Sequence, residues 1–134
     1  MCVFCKIAKG EIPAYKVYED HDFLAFLDLS QATIGHVLVI PKVHYETITS
    51  LEEENDIFNV VIKLTKAITA LPKVEGVNIL SNNGTLAGQT IPHFHIHIIP
   101  RYPNDRIQIK FGENTLSPED LFQLANKIKK NSSL

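Results

Sequence analysis

His93-Phe94-His95-Ile96-His97-Ile98-Ile99 alternates imidazole with apolar side chains at every step. In a strand, side chains alternate between faces at about 3.3 Å per residue, so the three rings share one face at spacings of about 6–7 Å. Phe94, Ile96 and Ile98 then point the other way, into a core. Imidazole is the side chain whose ordinary pKa lies near neutrality, so such a row can offer nucleophile, acid and hydrogen-bond donor to one ligand. That chemistry suits a phosphate. Two other readings share the pattern: an amphipathic strand with a solvated polar face, and a pair of ligands, His95 and His97, reaching one zinc ion.

Working outward, Pro92 and Pro100 bracket the histidine strand. Val77 to Leu80 predicts a strand before it, and the intervening Ser81 to Thr90 is a loop of small and polar residues whose glycines let backbone amides approach a ligand. Ser50 followed by Glu53 reads as a capping box, with Ile57, Val61, Leu64, Ile68 and Leu71 repeating at helical spacing as far as Pro72. This is the main helix. Gly35 precedes a strand at His36 to Ile40, stopped by Pro41. Tyr15 to Glu19 and Phe23 to Asp28 form a hairpin around Asp20-His21-Asp22, with His21 an exposed turn residue of no assigned role. After Ile107 to Lys110 and a turn at Gly112, Ser117-Pro118-Glu119-Asp120 opens a last helix with Leu121, Leu124, Ala125 and Ile128 as its buried stripe. The polar end, Asn131 to Leu134, is expected to fray. The order of elements predicts an α+β fold: an antiparallel sheet of about five strands, covered on one face, with one long central helix and a C-terminal helix.

At 134 residues the chain is expected to form a single domain spanning 1–134. With 13 basic and 15 acidic residues the net charge is −2, which gives no general attraction to nucleic acid or anionic membranes. No apolar run approaches the roughly 18 residues of a membrane span, and Met1 to Pro13 lacks the apolar stretch of a secretory signal. A cytoplasmic location is the default. There Cys2 and Cys5 are not expected to form a structural disulfide, nor do they follow a strand as a redox pair would.

These residues together resemble the histidine triad family. The resemblance rests on His93 to Ile99, on Phe26-Leu27-Asp28-Leu29-Ser30, on Gly35-His36-Val37-Leu38-Val39-Ile40-Pro41-Lys42-Val43-His44 and on the Asn82 to Thr90 loop, and it runs from Cys2 to Arg101. The nearest branch is the histidine triad nucleotide-binding proteins, nucleoside phosphoramidases and nucleotide hydrolases. The resemblance implies attack by His95 on the α-phosphorus of a purine nucleotide and a covalent nucleotidyl-histidine, chemistry for which neutral imidazole is suited. One ring nitrogen of His95 should then donate to a nearby carbonyl, leaving the other bare.

By the same resemblance His97 and His36 flank the phosphate as donors, and Gln89, Thr90 and the loop amides complete a cradle. Thr90 stands where the family commonly has serine. Asp28 matches the carboxylate that accepts from the ribose hydroxyls, Phe26 or Leu29 borders the base, and Asn82 lies near ribose and phosphate. A nucleotide-binding regulatory or scaffold module with vestigial catalysis is the alternative from another class. Nucleotidyl transfer to another acceptor is a third.

Cys2-Val3-Phe4-Cys5 also has zinc-ligand spacing, and a closed site needs two further ligands. Several members of this branch carry them at the positions of His44 and His93. A structural zinc there leaves His95 and His97 free for phosphate. Family members form two-fold dimers, which implies a homodimer paired through the main helix and an edge strand.

Overall fold

The computed structural model describes residues 2–132. In chain order its elements are α1 (Val3–Ala8), β1 (Lys16–Glu19), β2 (Phe23–Leu27), β3 (Val37–Pro41), α2 (Ile57–Thr69), β4 (Gly76–Leu80), β5 (Ile96–Arg101) and α3 (Pro118–Asn131). The strands form one antiparallel sheet in the order β1-β2-β3-β5-β4. No helix among the described residues is long and apolar enough to cross a membrane.

Strand alternation divides the apolar residues between two cores. Phe23, Ala25, Val37, Val39, Ile96 and Ile98 pack with Phe94 against Ile57, Val60, Val61, Leu64 and Ile68 of α2. Leu24, Phe26, Leu38 and Ile40, from the opposite face, pack against Phe4 and Ile7 of α1. The sheet is thus covered on both faces, not one, because the short helix α1, which no periodicity in the sequence announces, closes the second. Its N-cap is Cys2, whose sulfur accepts the Cys5 N–H at 3.2 Å. Cysteine is not among the usual capping residues, so the signal that opens α1 was absent.

Several boundaries differ from expectation, among them β3, which starts at Val37 and includes Pro41. Ser50 does not cap the main helix: Ile48–Ser50 is a single 3-10 turn, and the helix begins at Ile57, where Asn55 Oδ1 accepts the Ile57 N–H at 3.0 Å. The central helix is accordingly 13 residues, no longer than the 14 of α3, and Leu71 lies exposed beyond its end while Val60 joins the buried stripe. The histidine strand begins at Ile96 and includes Pro100. His93 and Phe94 instead donate to Ile91 O and Tyr45 O, and Pro100 lies beyond the β3 ladder, which covers Ile96 to Ile98, where a missing N–H is tolerated.

Ile107 to Lys110 forms no strand; Arg101 holds the start of this stretch through a bidentate pair with Asp105, both contacts 2.8 Å, and a bond to Ile107 O. The expected buried stripe of α3 is exposed: Leu121, Leu124 and Ile128 are 44–61% accessible, Ala125 is exposed as well, and so is the neighbouring Phe122. The helix forms on its own signals, with the Ser117 hydroxyl accepting the Asp120 N–H, Pro118 in the first turn, acidic residues at its start and Lys129 and Lys130 at its end. Of the expected frayed end, Asn131 closes α3 and Ser132 caps it, while residues 133 and 134 lie outside the described part.

Candidate functional site: a histidine cluster beside an apolar cavity

β5 places His97 between Leu38 of β3 and Leu80 of β4, and the bend before it brings His95 to a ring-centroid distance of 5.0 Å. Phe94, Ile96 and Ile98 are buried on the other side, so the alternation read from the sequence persists through the bend. His36, immediately before β3, completes the cluster, its Nε2 2.9 Å from His97 Nδ1.

The hydrogen-bond partners assign the ring protons. Ala32 N–H donates to His36 Nδ1 at 3.2 Å, so a neutral His36 carries its proton on Nε2 and donates to His97 Nδ1. His97 then holds its own proton on Nε2. His95 Nδ1 lies 2.7 Å from His93 O and donates to it, which leaves Nε2 of His95 as a bare lone pair. Phe4 packs edge-on against this ring, centroids 5.1 Å apart, and Ser81 Oγ donates to His95 O at 3.0 Å.

His93 faces a different group. Its Nε2–H donates to Pro41 O at 2.8 Å, and its Nδ1 joins Cys2 Sγ, Cys5 Sγ and His44 Nδ1. The six separations among these four atoms all fall between 3.2 and 3.6 Å. In a tetrahedron of such edges the centre lies roughly 2.0–2.2 Å from each corner, at zinc–nitrogen bond length and slightly inside the zinc–sulfur length of about 2.3 Å. The donor set fits the metal, and the Pro41 carbonyl fixes the tautomer that ligation requires. Asp28, His36 and His97 also converge, but there a metal on His36 Nε2 would force the ring proton onto Nδ1, against the Ala32 N–H. That trio is a proton-ordered pair with a carboxylate beside it.

Between α1 and β2 opens a cavity of about 640 Å³ whose walls include Val3, Phe4, Ile7, Phe26, Leu38 and Ile91, with Asp28 as its charged group. Phe26 and Leu29, expected at a base slot, both line it. Ile12, Tyr15 and Ile91 line it too, and no periodicity in the sequence could have found them. Two imidazoles stand behind its wall residues: Phe4 touches His95, and Asp28 Oδ2 is 3.7 Å from His36 Nε2. Asp28 Oδ1 accepts the Ser30 N–H.

The Ser81 to Thr90 loop is braced internally. Gln89 Oε1 accepts the Gly84 N–H, and its Nε2 donates to Glu46 O and Ile91 O. The side chain expected in the phosphate cradle is therefore committed to the backbone, and it shapes the loop. Gly84 and Gly88 take φ of +96° and +97°, which glycine alone adopts readily. Asn82 lies against Gly88, where an added Cβ would come within 3.5 Å of its Nδ2, and Thr90 is exposed at the loop's end.

Burial lowers His97 to about 4, with the neighbouring His95 and His36 rings adding to the effect and Asp28 opposing it. Burial lowers His36 as well, again against Asp28. An unfolded chain takes up these protons near pH 6.5, the folded chain only at lower pH, so stability is complete above about 6.5 and declines as pH falls towards 4. Urea denaturation between pH 7.5 and 4.5 should show the midpoint dropping below that point. A flat profile would mean the two rings take up protons as readily in the folded protein as in the unfolded chain.

A bare imidazole nitrogen and an ordered N–H donor beside an apolar cavity, all on one antiparallel sheet, define an α+β protein equipped to bond and hold an anion. Residues 9–104 match the HIT domain family. The chain belongs to that family. It is 43% identical over 131 residues to an adenosine 5'-monophosphoramidase of Schizosaccharomyces pombe, covering 95% of each chain. An adenylylsulfatase of Arabidopsis thaliana is 44% identical over 106 residues, 78% of this chain and 54% of that one. A crystal structure of a HIT family protein from Bacillus anthracis superposes with a TM-score of 0.92 at 47% identity, covering 97% of this chain and 96% of the other.

Proposed function

We propose that the protein hydrolyses purine nucleotides at the α-phosphate, of the nucleoside phosphoramidate or dinucleoside polyphosphate type, through a covalent nucleotidyl-His95. The observation that carries this reading is the His95 ring, whose Nδ1–H is held by His93 O so that Nε2 keeps its lone pair. Nε2 bonds to the α-phosphorus as the bond to the leaving amine or phosphate breaks. The leaving group takes a proton, a step to which the Thr90 hydroxyl is assigned. Water then cleaves the phosphorus–nitrogen bond, releasing the nucleoside monophosphate and restoring the bare ring.

His97 and His36 hold the phosphate charge as donors, while Asp28 accepts from the ribose hydroxyls. The base occupies the apolar cavity between Phe26 and Leu29, and Asn82 and the loop shaped by Gln89 close over ribose and phosphate. Two relatives bearing phosphoramidase and adenylylsulfatase names support hydrolysis at a nucleotide phosphate. Mass spectrometry after brief mixing with an adenosine phosphoramidate should reveal a nucleotidyl adduct on the peptide holding His95. Tight nucleotide binding with neither adduct nor turnover would favour the regulatory alternative.

The same proposal includes a structural Zn2+ on Cys2, Cys5, His44 and His93. Its charge would hold as thiolates two sulfurs of which one, Cys5, is otherwise pushed up by burial and by Cys2. A cytoplasmic location belongs with it, since the thiols must stay reduced.

A homodimer is the further element. β4 ends the sheet with Ile79 and Leu80 exposed, Phe58 and Ile62 of α2 are exposed too, and the apolar stripe of α3 is uncovered. A 14-residue helix is marginal alone. Light scattering should give twice the 15.1 kDa chain mass, and Phe58→Asp with Ile62→Asp should halve it.

A further inference from the structure

The loop joining β2 to β3 carries both Asp28 and His36, and one side chain outside the triad sets its shape. Gln31 Nε2 donates to Asp28 O and to His36 O, while its Oε1 accepts the N–H groups of Gly35 (2.7 Å) and His36 (3.2 Å). Two donated and two accepted bonds use the whole capacity of a carboxamide. Every partner is backbone of this one loop, so the amide clamps its two ends together. Inside the clamp, Ala32 N–H is aimed at His36 Nδ1. Thr33 Oγ1 pins the same loop to β5 through Pro100 O, and Gly35, at φ +101° and with an added Cβ only 3.1 Å from Leu71 Cδ1, turns it back into β3.

We propose that Gln31 is a positioning residue that fixes the tautomer of His36 and, through it, the direction in which His97 presents its ring proton. The ring order has two neutral states. With Ala32 in place, His36 holds its proton on Nε2 and donates to His97 Nδ1, so His97 presents an N–H at its other nitrogen. If Ala32 N–H moves away, the proton of His36 can sit on Nδ1; its Nε2 then accepts from His97 Nδ1–H, and His97 presents a bare lone pair. One proton shifts on each ring, with no change in total charge. The polarity offered to an anion is reversed. This rests on the reading of His97 as a phosphate donor.

Gln31→Glu tests the assignment. Its carboxylate keeps one oxygen for Gly35 and His36 N–H but turns the other, unprotonated, on two carbonyl oxygens. When protonated it regains a donor. The variant-to-wild-type ratio of kcat should be below about one tenth at pH 8 and climb towards one near pH 5, with KM changing less, whereas Gln31→Ala should stay low throughout. The titratable groups around this corner are Asp28 and His36 on the loop, His97 from β5, His95 packed against His97, and Tyr102, whose hydroxyl donates to Ile34 O; both proteins carry all of them, so the ratio isolates the group at position 31 together with its effect on these neighbours.

Long-range 15N–1H correlation spectra of the free proteins give a readout independent of substrate. Wild type should show His36 protonated on Nε2, and the Gln31 variants at pH 8 a shift to Nδ1. An unchanged tautomer together with a pH-independent ratio would overturn the proposal and leave Gln31 a brace of the loop. If Gln31→Ala does not fold, the glutamate variant alone decides by the same two measurements. Should the wild type lack turnover while the tautomer still shifts, the positioning role stands and the hydrolase reading falls.

Discussion

Replacing His95 by alanine should lower turnover of an adenosine phosphoramidate by at least about 10⁴-fold, because no other group then forms the bond to phosphorus. Nucleotide affinity should remain within about tenfold. The cavity walls, Asp28 and the His36–His97 pair are built by other residues, and the new side chain is smaller than the old, so nothing obstructs the ligand. His97→Ala should give a smaller loss, about 10²–10³-fold, as expected when one donor to a developing charge is removed. Steady-state kinetics and equilibrium binding on the same preparations separate these effects. Equal losses for the two variants, or activity retained without His95, would remove the covalent step.

The second large effect is expected from the zinc site proposed on Cys2, Cys5, His44 and His93. Stripping zinc with a chelator, or replacing Cys5 by serine, should abolish one equivalent of bound metal per chain and lower the thermal midpoint by roughly 10 °C. Apparent binding energies of about 10–16 kcal/mol for structural zinc in small peptides set the upper limit, and a chain with its own core shows only part of that. The loss should be local. α1 carries the two sulfurs on one side and Val3, Phe4 and Ile7 of the cavity wall on the other, so nucleotide affinity should fall with the metal while the β2–β3–β5 core keeps its protection in hydrogen exchange. Elemental analysis finding no zinc, with no change in melting on chelation, would reduce Cys2 and Cys5 to two half-buried reduced thiols and leave the chemistry at His95 intact.

The histidine face was legible because strand periodicity is a local property: Phe94, Ile96 and Ile98 had to share a core whatever packed on them. The convergence of Cys2, Cys5, His44 and His93 was legible only through family resemblance, since 91 positions separate the first ligand from the last. Other features depended on competition that the sequence does not display. Ser50 and Glu53 have the spacing of a capping box, yet Asn55 reaches the first free amide at Ile57 and the helix starts there. Gln89 has the chemistry of a phosphate ligand, but three backbone groups claim it first. α3 has the stripe of a buried helix, and none of the other described elements covers it. Gln31 lies between two recognisable stretches, and only the folded loop reveals that its four hydrogen bonds all end on neighbours.

The bend at His93 to His95 followed by a regular strand has a consequence for how this gene can vary. Point substitutions at Ile96 or Ile98 exchange one apolar group for another and leave the rings where they are. Deleting or inserting a single codon between Phe94 and Ile98 is different, because a strand shifted by one residue turns each side chain to the opposite face. Imidazoles would then be driven beneath α2 and isoleucines onto the face that now carries His95 and His97, so the stretch tolerates changes of letter far better than changes of length.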